Sequence, residues 1–153
     1  MDLDTYEPRT PTKSEYYDYV RILDALPNMH YIGCYPYFGF KGISPNMAIP
    51  EGVAAKIRKS TKHQMTCYQN DCEIFNIKMA KMVEGEISGG LAAAPPLTWY
   101  DDSVKEARRM IEAGFPLWIV NGCVHGGTGP VTIAGSVVTS NAEIISMLVL
   151  VQL

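Results

Sequence analysis

Charge is what this chain lacks most at its C-terminal end. From Ala113 to Leu153 the only formally charged side chain is Glu143. A segment this poor in charge is not expected on a free surface; it belongs in a core, against a partner, or in lipid. A basic excess is also missing: 13 Lys plus Arg stand against 16 Asp plus Glu. That balance does not suggest a nucleic-acid binder that tracks phosphates, which would normally show a basic patch. Histidine is rare, at three residues, and no histidine pair joins the cysteines, so no metal-ligand set is expected. The cysteines are Cys34, Cys67, Cys72 and Cys123. Cys67 and Cys72 are too far apart for the usual two-residue zinc or redox motifs, and all four are expected as free buried or site-edge thiols in a reducing compartment. The N-terminal stretch is polar and tyrosine-rich and lacks the charged-then-apolar pattern of a secretory leader, so a cytoplasmic location is expected.

What is present is alternation. Residues 1–12 read as an entry arm with Pro8 and Pro11. Thr12 and Glu15 fit a capping box, and Tyr16, Tyr19, Val20, Leu23 and Leu26 follow at helical spacing until Pro27. Met29–Tyr35 reads as a strand and 36–47 as a loop crowded with aromatics. A helix is expected from Pro50, its last turn cationic through Lys56, Arg58, Lys59 and Lys62. His63–Tyr68 reads as a short strand. Asn70 with Glu73 fits a second capping box, and Phe75, Met79, Met82 and Val83 mark the apolar face of the helix after it, with Gly85 at its C-terminal end. Residues 89–94 form a weak strand of small side chains. Asp101, Asp102 and Ser103 offer an N-cap to a helix striped by Val104, Ala107 and Ile111 and stopped at Gly114. Residues 116–120 are the last strand.

The strand centres are separated by roughly 33, 26 and 27 residues, the length of successive βα units. Such alternation predicts an α/β fold with a parallel sheet backed by helices. No G-x-G-x-x-G follows the first strand, which weakens a dinucleotide-binding sheet against a (β/α)8 barrel. A closed barrel takes about 250 residues. The chain is therefore expected to hold about half of one, over residues 13–153. In either architecture the chemistry lies in the loops after the strand C-termini.

Residues 131–153 are long enough to cross a bilayer. Asn141, Glu143, Gln152 and several hydroxyl side chains make them a poor lipid segment, and no Lys or Arg flanks them. A helix covered on both faces, by the barrel wall and a subunit neighbour, is expected instead. Ser140 with Glu143 could cap a second start if the segment breaks. A helix from Pro130 aims its N–H groups at the Gly-rich loop, a candidate anion site.

The block Gly126-Gly127-Thr128-Gly129-Pro130-Val131-Thr132-Ile133-Ala134-Gly135, followed by Asn141-Ala142-Glu143 and the run to Val151-Gln152-Leu153, resembles the trimethylamine methyltransferase family. Asp24-Ala25-Leu26-Pro27-Asn28 and Ser60-Thr61-Lys62 carry the same resemblance. It covers roughly residues 18–153, an internal part of the family's longer chain. The resemblance implies a (β/α)8 TIM barrel. It implies transfer of a methyl group from a methylated amine to the cobalt corrinoid of a separate protein, with no cofactor bound by the chain itself. It also implies one-carbon metabolism of the methanogenic kind. Trimethylamine enzymes of the family use pyrrolysine; others lack it and act on quaternary amines such as glycine betaine. The distinguishing position lies beyond Leu153.

A site for a cationic amine wants aromatic faces and orientation more than acid–base chemistry. Tyr35, Tyr37, Phe38, Phe40 and Tyr68 suit it, with Gln69 and Asn121 as polar candidates. His125 is a candidate for a substrate carboxylate or the corrinoid, and Glu143 for the substrate's positive charge. Gly126, Gly127 and Gly129 give the loop a backbone path closed to other residues, with Thr128 among them. Expected partners are the corrinoid protein and a small methylated amine, with homo-oligomer formation and neither nucleic acid nor membrane. Two other readings compete: a non-catalytic barrel fragment acting as an assembly module, and a barrel enzyme that takes a phosphorylated substrate at the Gly-rich loop.

Overall fold

The computed structural model describes residues 1–33 and 41–153. The expected aromatic residues Tyr35, Tyr37, Phe38 and Phe40 lie outside the described residues. The chain divides into two compact units, Met1–Ile87 and Ser88–Leu153.

In the first unit, α1 (Lys13–Ala25) starts as its sequence predicts: Thr12 Oγ1 accepts from Glu15 N–H, and the Glu15 carboxylate accepts from Thr12 N–H. Arg9 ties the arm to this start with a forked pair to Glu15 at 3.0 and 2.6 Å. β1 (Tyr31–Ile32) follows, then a 3-10 turn (Pro45–Met47), α2 (Ala48–Lys59), β2 (His63–Met65) and α3 (Glu73–Val83). β1 and β2 are parallel, with Tyr31 opposite His63 and Ile32 opposite Gln64. α1 and α2 pack Tyr16, Val20 and Ala55 over Ile32, and a second cluster joins Ile49 and Val53 to Cys67 and Cys72.

The two family-like motifs of this unit grip each other. Asp24 accepts from Ser60 Oγ at 2.7 Å and from Thr61 N–H at 3.1 Å. Lys62 Nζ donates to Leu23 O at 2.9 Å and to Leu26 O. Lys62 thus adds a second donor to carbonyls at the end of α1, where Leu23 O also accepts from Leu26 N–H and Leu26 O from Met29 N–H. The Ser60 hydroxyl, then Thr61 N–H, holds the Asp24 carboxyl below its ordinary range.

Among the described residues β1 and β2 are short, with Cys34 and Tyr35 of the expected first strand outside them, and a buried cation stands where their pairing ends. The next rung would set Gly33 opposite Met65. Their carbonyls instead accept from Lys56 Nζ, at 2.9 and 2.7 Å, with Ile32 O at 3.5 Å. Lys56 is fully buried. Its expected role at the helix dipole is therefore corrected: the side chain turns into the sheet.

α3 departs from expectation in three ways. Its N-cap is Cys72 with no side-chain bond, because Asn70 and Asp71 both take left-handed backbone angles, φ 48° and 58°, which break the Asn70–Glu73 capping geometry. Glu84, at φ 52°, rather than Gly85 is its C-cap. It buries Glu73, Asn76 and Ala80, while Phe75, Met82 and Val83 are exposed. Cys67 is disulfide-bonded, which corrects the expectation of four free thiols; Cys72 and Cys123 are free.

β3 (Ile87–Ala94) begins at the boundary, eight residues long and buried almost throughout. Then come β4 (Thr98–Trp99), α4 (Asp101–Ala113), β5 (Leu117–Val120) and α5 (Ile133–Leu150). In the second unit β3 pairs in parallel with β5, Gly89 opposite Leu117 through Ala92 opposite Val120, and antiparallel with β4. Gly90 is required by crowding: a Cβ there would come 2.5 Å from the Trp118 ring. Leu91, Ala93, Ala107 and Met147 form the core. Two polar side chains of α4 also serve β3. Glu106 accepts from Gly90 N–H at 2.9 Å, and Ser103 accepts from Ala92 N–H at 2.7 Å. Ser103 is thus inside the helix, not its cap; Tyr100 holds that position, and Gly114 ends the helix at φ 83° as expected.

The fold is mixed α/β with parallel strands, as expected at that level. Neither unit closes a barrel among the described residues. α5 is one unbroken helix from its N-cap Thr132, whose hydroxyl accepts from Gly135 N–H, so no second start occurs at Ser140. It buries Ser136, Glu143 and Met147. Its other side exposes Val137, Val138, Ile145, Leu148 and Val149. The expected cover on both faces is therefore seen on one. By length and composition α5 is also long and apolar enough to cross a membrane.

Candidate functional site

The segment after β5 is the most elaborate turn in the second unit. Asn121 Oδ1 accepts from Cys123 N–H at 3.2 Å and starts the turn. Val124 O accepts from both Gly127 and Gly129 N–H, and Gly126 N–H donates to Gly129 O at 3.1 Å. Val124 N–H in turn donates to Thr128 Oγ1 at 3.0 Å. An isolated bridge joins His125 to Gly129. The result is a closed knot of backbone that feeds Pro130 and α5.

The glycines of this knot are not equivalent. Gly126 has φ 71°, the left-handed region that L side chains avoid. Gly127 has no positive φ, and a Cβ there would make only ordinary contact with Val124 at 3.5 Å. At Gly135, in the first turn of α5, a Cβ would sit 2.8 Å from Pro130 Cβ. The expectation of a special backbone path thus holds at Gly126, and close approach is what requires Gly135.

Against the knot lies an open cavity of about 380 Å3, lined by Cys123, His125, Ser136, Val137, Ser140, Asn141 and Ile144. Its walls carry no formal charge. The Cys123 sulfur lies 3.0 Å from Ser140 Oγ, and Ser136 Oγ donates to Pro130 O at 2.8 Å. His125 is exposed at the cavity mouth. Its chemistry is that of a small polar recess with one imidazole, one thiol and one amide at its wall. Among the described residues that line it, no nucleophile and base are in hydrogen-bond contact.

Glu143 does not line this cavity. It is 1 % exposed, and its Oε1 accepts from Leu97 N–H at 2.6 Å. Leu97 sits at φ 54° beside the cis Pro95–Pro96 bond. Glu143 therefore braces the turn after β3. Its second oxygen, Oε2, is buried with no hydrogen-bond partner among the described residues, as is Asn121 Nδ2. His125 lines the recess and Glu143 does not, so the structure does not bring them together in that pocket.

Tyr68 is half-buried and Gln69 exposed, both just beyond β2 in the first unit. Cys123, Ser136 and Ser140 were not among the expected substrate contacts. A signal existed: Ser136 and Ser140 stand four apart on an otherwise apolar helix, the spacing of one helical face. Lys56 was not among them either, and a lone lysine in a cationic last turn gives no such signal. Among the described residues no cluster of His, Cys, Asp or Glu is arranged to hold a metal ion.

Parallel strands alternating with helices, with a glycine knot and a recess just after a strand C-terminus, define an α/β protein. The chain matches the model of the trimethylamine methyltransferase (MTTB) family over residues 1–153, and it belongs to that family. The match includes residues 1–17, which the sequence resemblance had left out. None of the curated proteins matches the chain.

Proposed function

We propose that this chain serves the transfer of a methyl group from a methylated amine to the reduced cobalt of a corrinoid carried by a separate protein. Family membership over the whole chain carries the reading. The reaction is a displacement: the C–N bond breaks as the methyl carbon bonds to the acceptor, and the amine leaves with the electron pair. The protein's task is to aim a methyl group and exclude water, which is work for a shaped, uncharged recess. The recess at Cys123, His125, Ser136, Ser140 and Asn141 fits that task, and the Gly126 knot fixes its mouth.

In this reading His125 contacts the substrate's polar end or the incoming corrinoid, with Thr128, Gly127 and Asn121 shaping the approach. Tyr68 and Gln69, with Tyr35, Tyr37 and Phe38, supply aromatic and polar surface for the cation. Glu143 acts from behind the recess, through the turn it braces and through its free oxygen. The surrounding fold is a (β/α)8 barrel to which these units contribute, in the cytoplasm, as part of a homo-oligomer. The test is a substitution series in the longest chain the source encodes. His125→Ala and Asn141→Ala are expected to lower kcat/KM for the amine by about tenfold or more while the protein stays folded. Undiminished turnover in both variants would place the amine elsewhere.

A further inference from the structure

Lys56 is the buried charge that the functional reading leaves unused. It is 0 % exposed, and its ammonium touches three backbone carbonyls: Ile32, Gly33 and Met65. Gly33 and Met65 are the residues that would form the next rung after Ile32 and Gln64. An ammonium has three N–H donors, and three acceptors are present. Three donors on one atom cannot copy a ladder rung, which runs N–H to C=O between two backbones. They can only hold two carbonyls facing a common point. Lys56 thus stands between a carbonyl of each strand where Gly33 leaves β1, just before the segment that carries Thr66, Cys67 and Tyr68.

We propose that Lys56 is a positioning residue: its buried side chain wedges the carboxyl ends of β1 and β2 apart, and so sets where the segment bearing Tyr68 leaves the sheet. For its bearing on the amine, the inference rests on the function proposed above. The wedge itself rests only on the geometry. Burial agrees with it, since it drives the Lys56 ammonium down to about 7.

The experiment compares Lys56→Met, Lys56→Arg and wild type in the full chain with two readouts. The first is backbone hydrogen exchange at Thr66–Gln69. Lys56→Met is expected to change exchange there by about tenfold as the strands close, and Lys56→Arg, which keeps donors at that point, to stay within about threefold. The second is methyl transfer from trimethylamine and glycine betaine. Lys56→Met is expected to raise KM by about tenfold with kcat within about threefold, and Lys56→Arg to restore KM. If Lys56→Met does not fold, Lys56→Gln takes its place in both arms. Unchanged exchange at Thr66–Gln69 in a folded variant overturns the wedge whatever the turnover. Changed exchange with unchanged KM overturns its bearing on the amine. An inactive wild type would defeat the proposed reaction and leave the exchange result to decide the wedge.

Discussion

Titrating Lys56 gives a sharp physical test of how this fold is held. Burial lowers its ammonium from an ordinary value of 10.5 to about 7. The folded chain therefore gives up this proton at lower pH than the unfolded chain does. Between pH 7 and 10.5 the unfolded state binds more protons, so stability must rise with pH across that window. Below the window both states are protonated and the slope vanishes. A drop of this size corresponds to at most about 5 kcal/mol. The three carbonyl acceptors stabilise the ammonium and offset part of that cost, so about 2 kcal/mol is the expected gain. The assay is urea unfolding of wild type and Lys56→Met at half-unit steps of pH. Subtracting the variant removes the contributions of all other groups to the slope. The difference between the two proteins is expected to shift toward wild type as pH rises from 7 to 10.5. A difference that stays flat would refute the buried, poorly solvated lysine.

Three further outcomes follow from the same geometry. Gly126→Ala, forced to φ 71°, is expected to cost about 1–2 kcal/mol in thermal unfolding, whereas Gly127→Ala should be nearly neutral. Because the Asp24 carboxyl is held below its ordinary range, its contribution is present at neutral pH and lost as pH falls through the folded value. Asp24→Asn should therefore flatten the acid limb of the stability curve, measured by circular dichroism from pH 6 down to about 2. Cys123 is partly exposed and Cys72 buried, so a thiol reagent should label Cys123 first in the native protein, and mass spectrometry of the peptides reads the order.

What was legible in the sequence was local. The Thr12–Glu15 box and the Gly114 stop are signals in which a side chain answers its own helix end, and both occur where expected. The alternation of strands and helices was legible because each helix carries its own period. The strand ends were not: β1 and β2 stop where Lys56, from a helix between them, takes their carbonyls. No local pattern reports such a contact. The face of α3 was misread for a related reason. Of the expected stripe Phe75, Met79, Met82 and Val83, Met79 packs against the core, while the other three are exposed and Glu73, Asn76 and Ala80 are the buried positions. Asn76 keeps both amide atoms buried without a partner among the described residues. At the candidate site the Gly126 knot and His125 stood out through glycine content. Cys123, Ser136 and Ser140 did not, because small polar residues on an apolar helix read as filler until a recess forms beside them. Glu143 stood out as the only charge of its region, and its bond to Leu97 N–H gives it a bracing role that charge alone did not suggest.

The most direct measurement is methyl transfer itself. The longest chain the source encodes is mixed with reduced corrinoid protein, and the cobalt absorbance is followed with trimethylamine, glycine betaine and other quaternary amines in turn. The account predicts that one of these amines methylates cobalt, with loss of rate in His125→Ala. A folded chain that leaves the cobalt spectrum unchanged with every amine would contradict it.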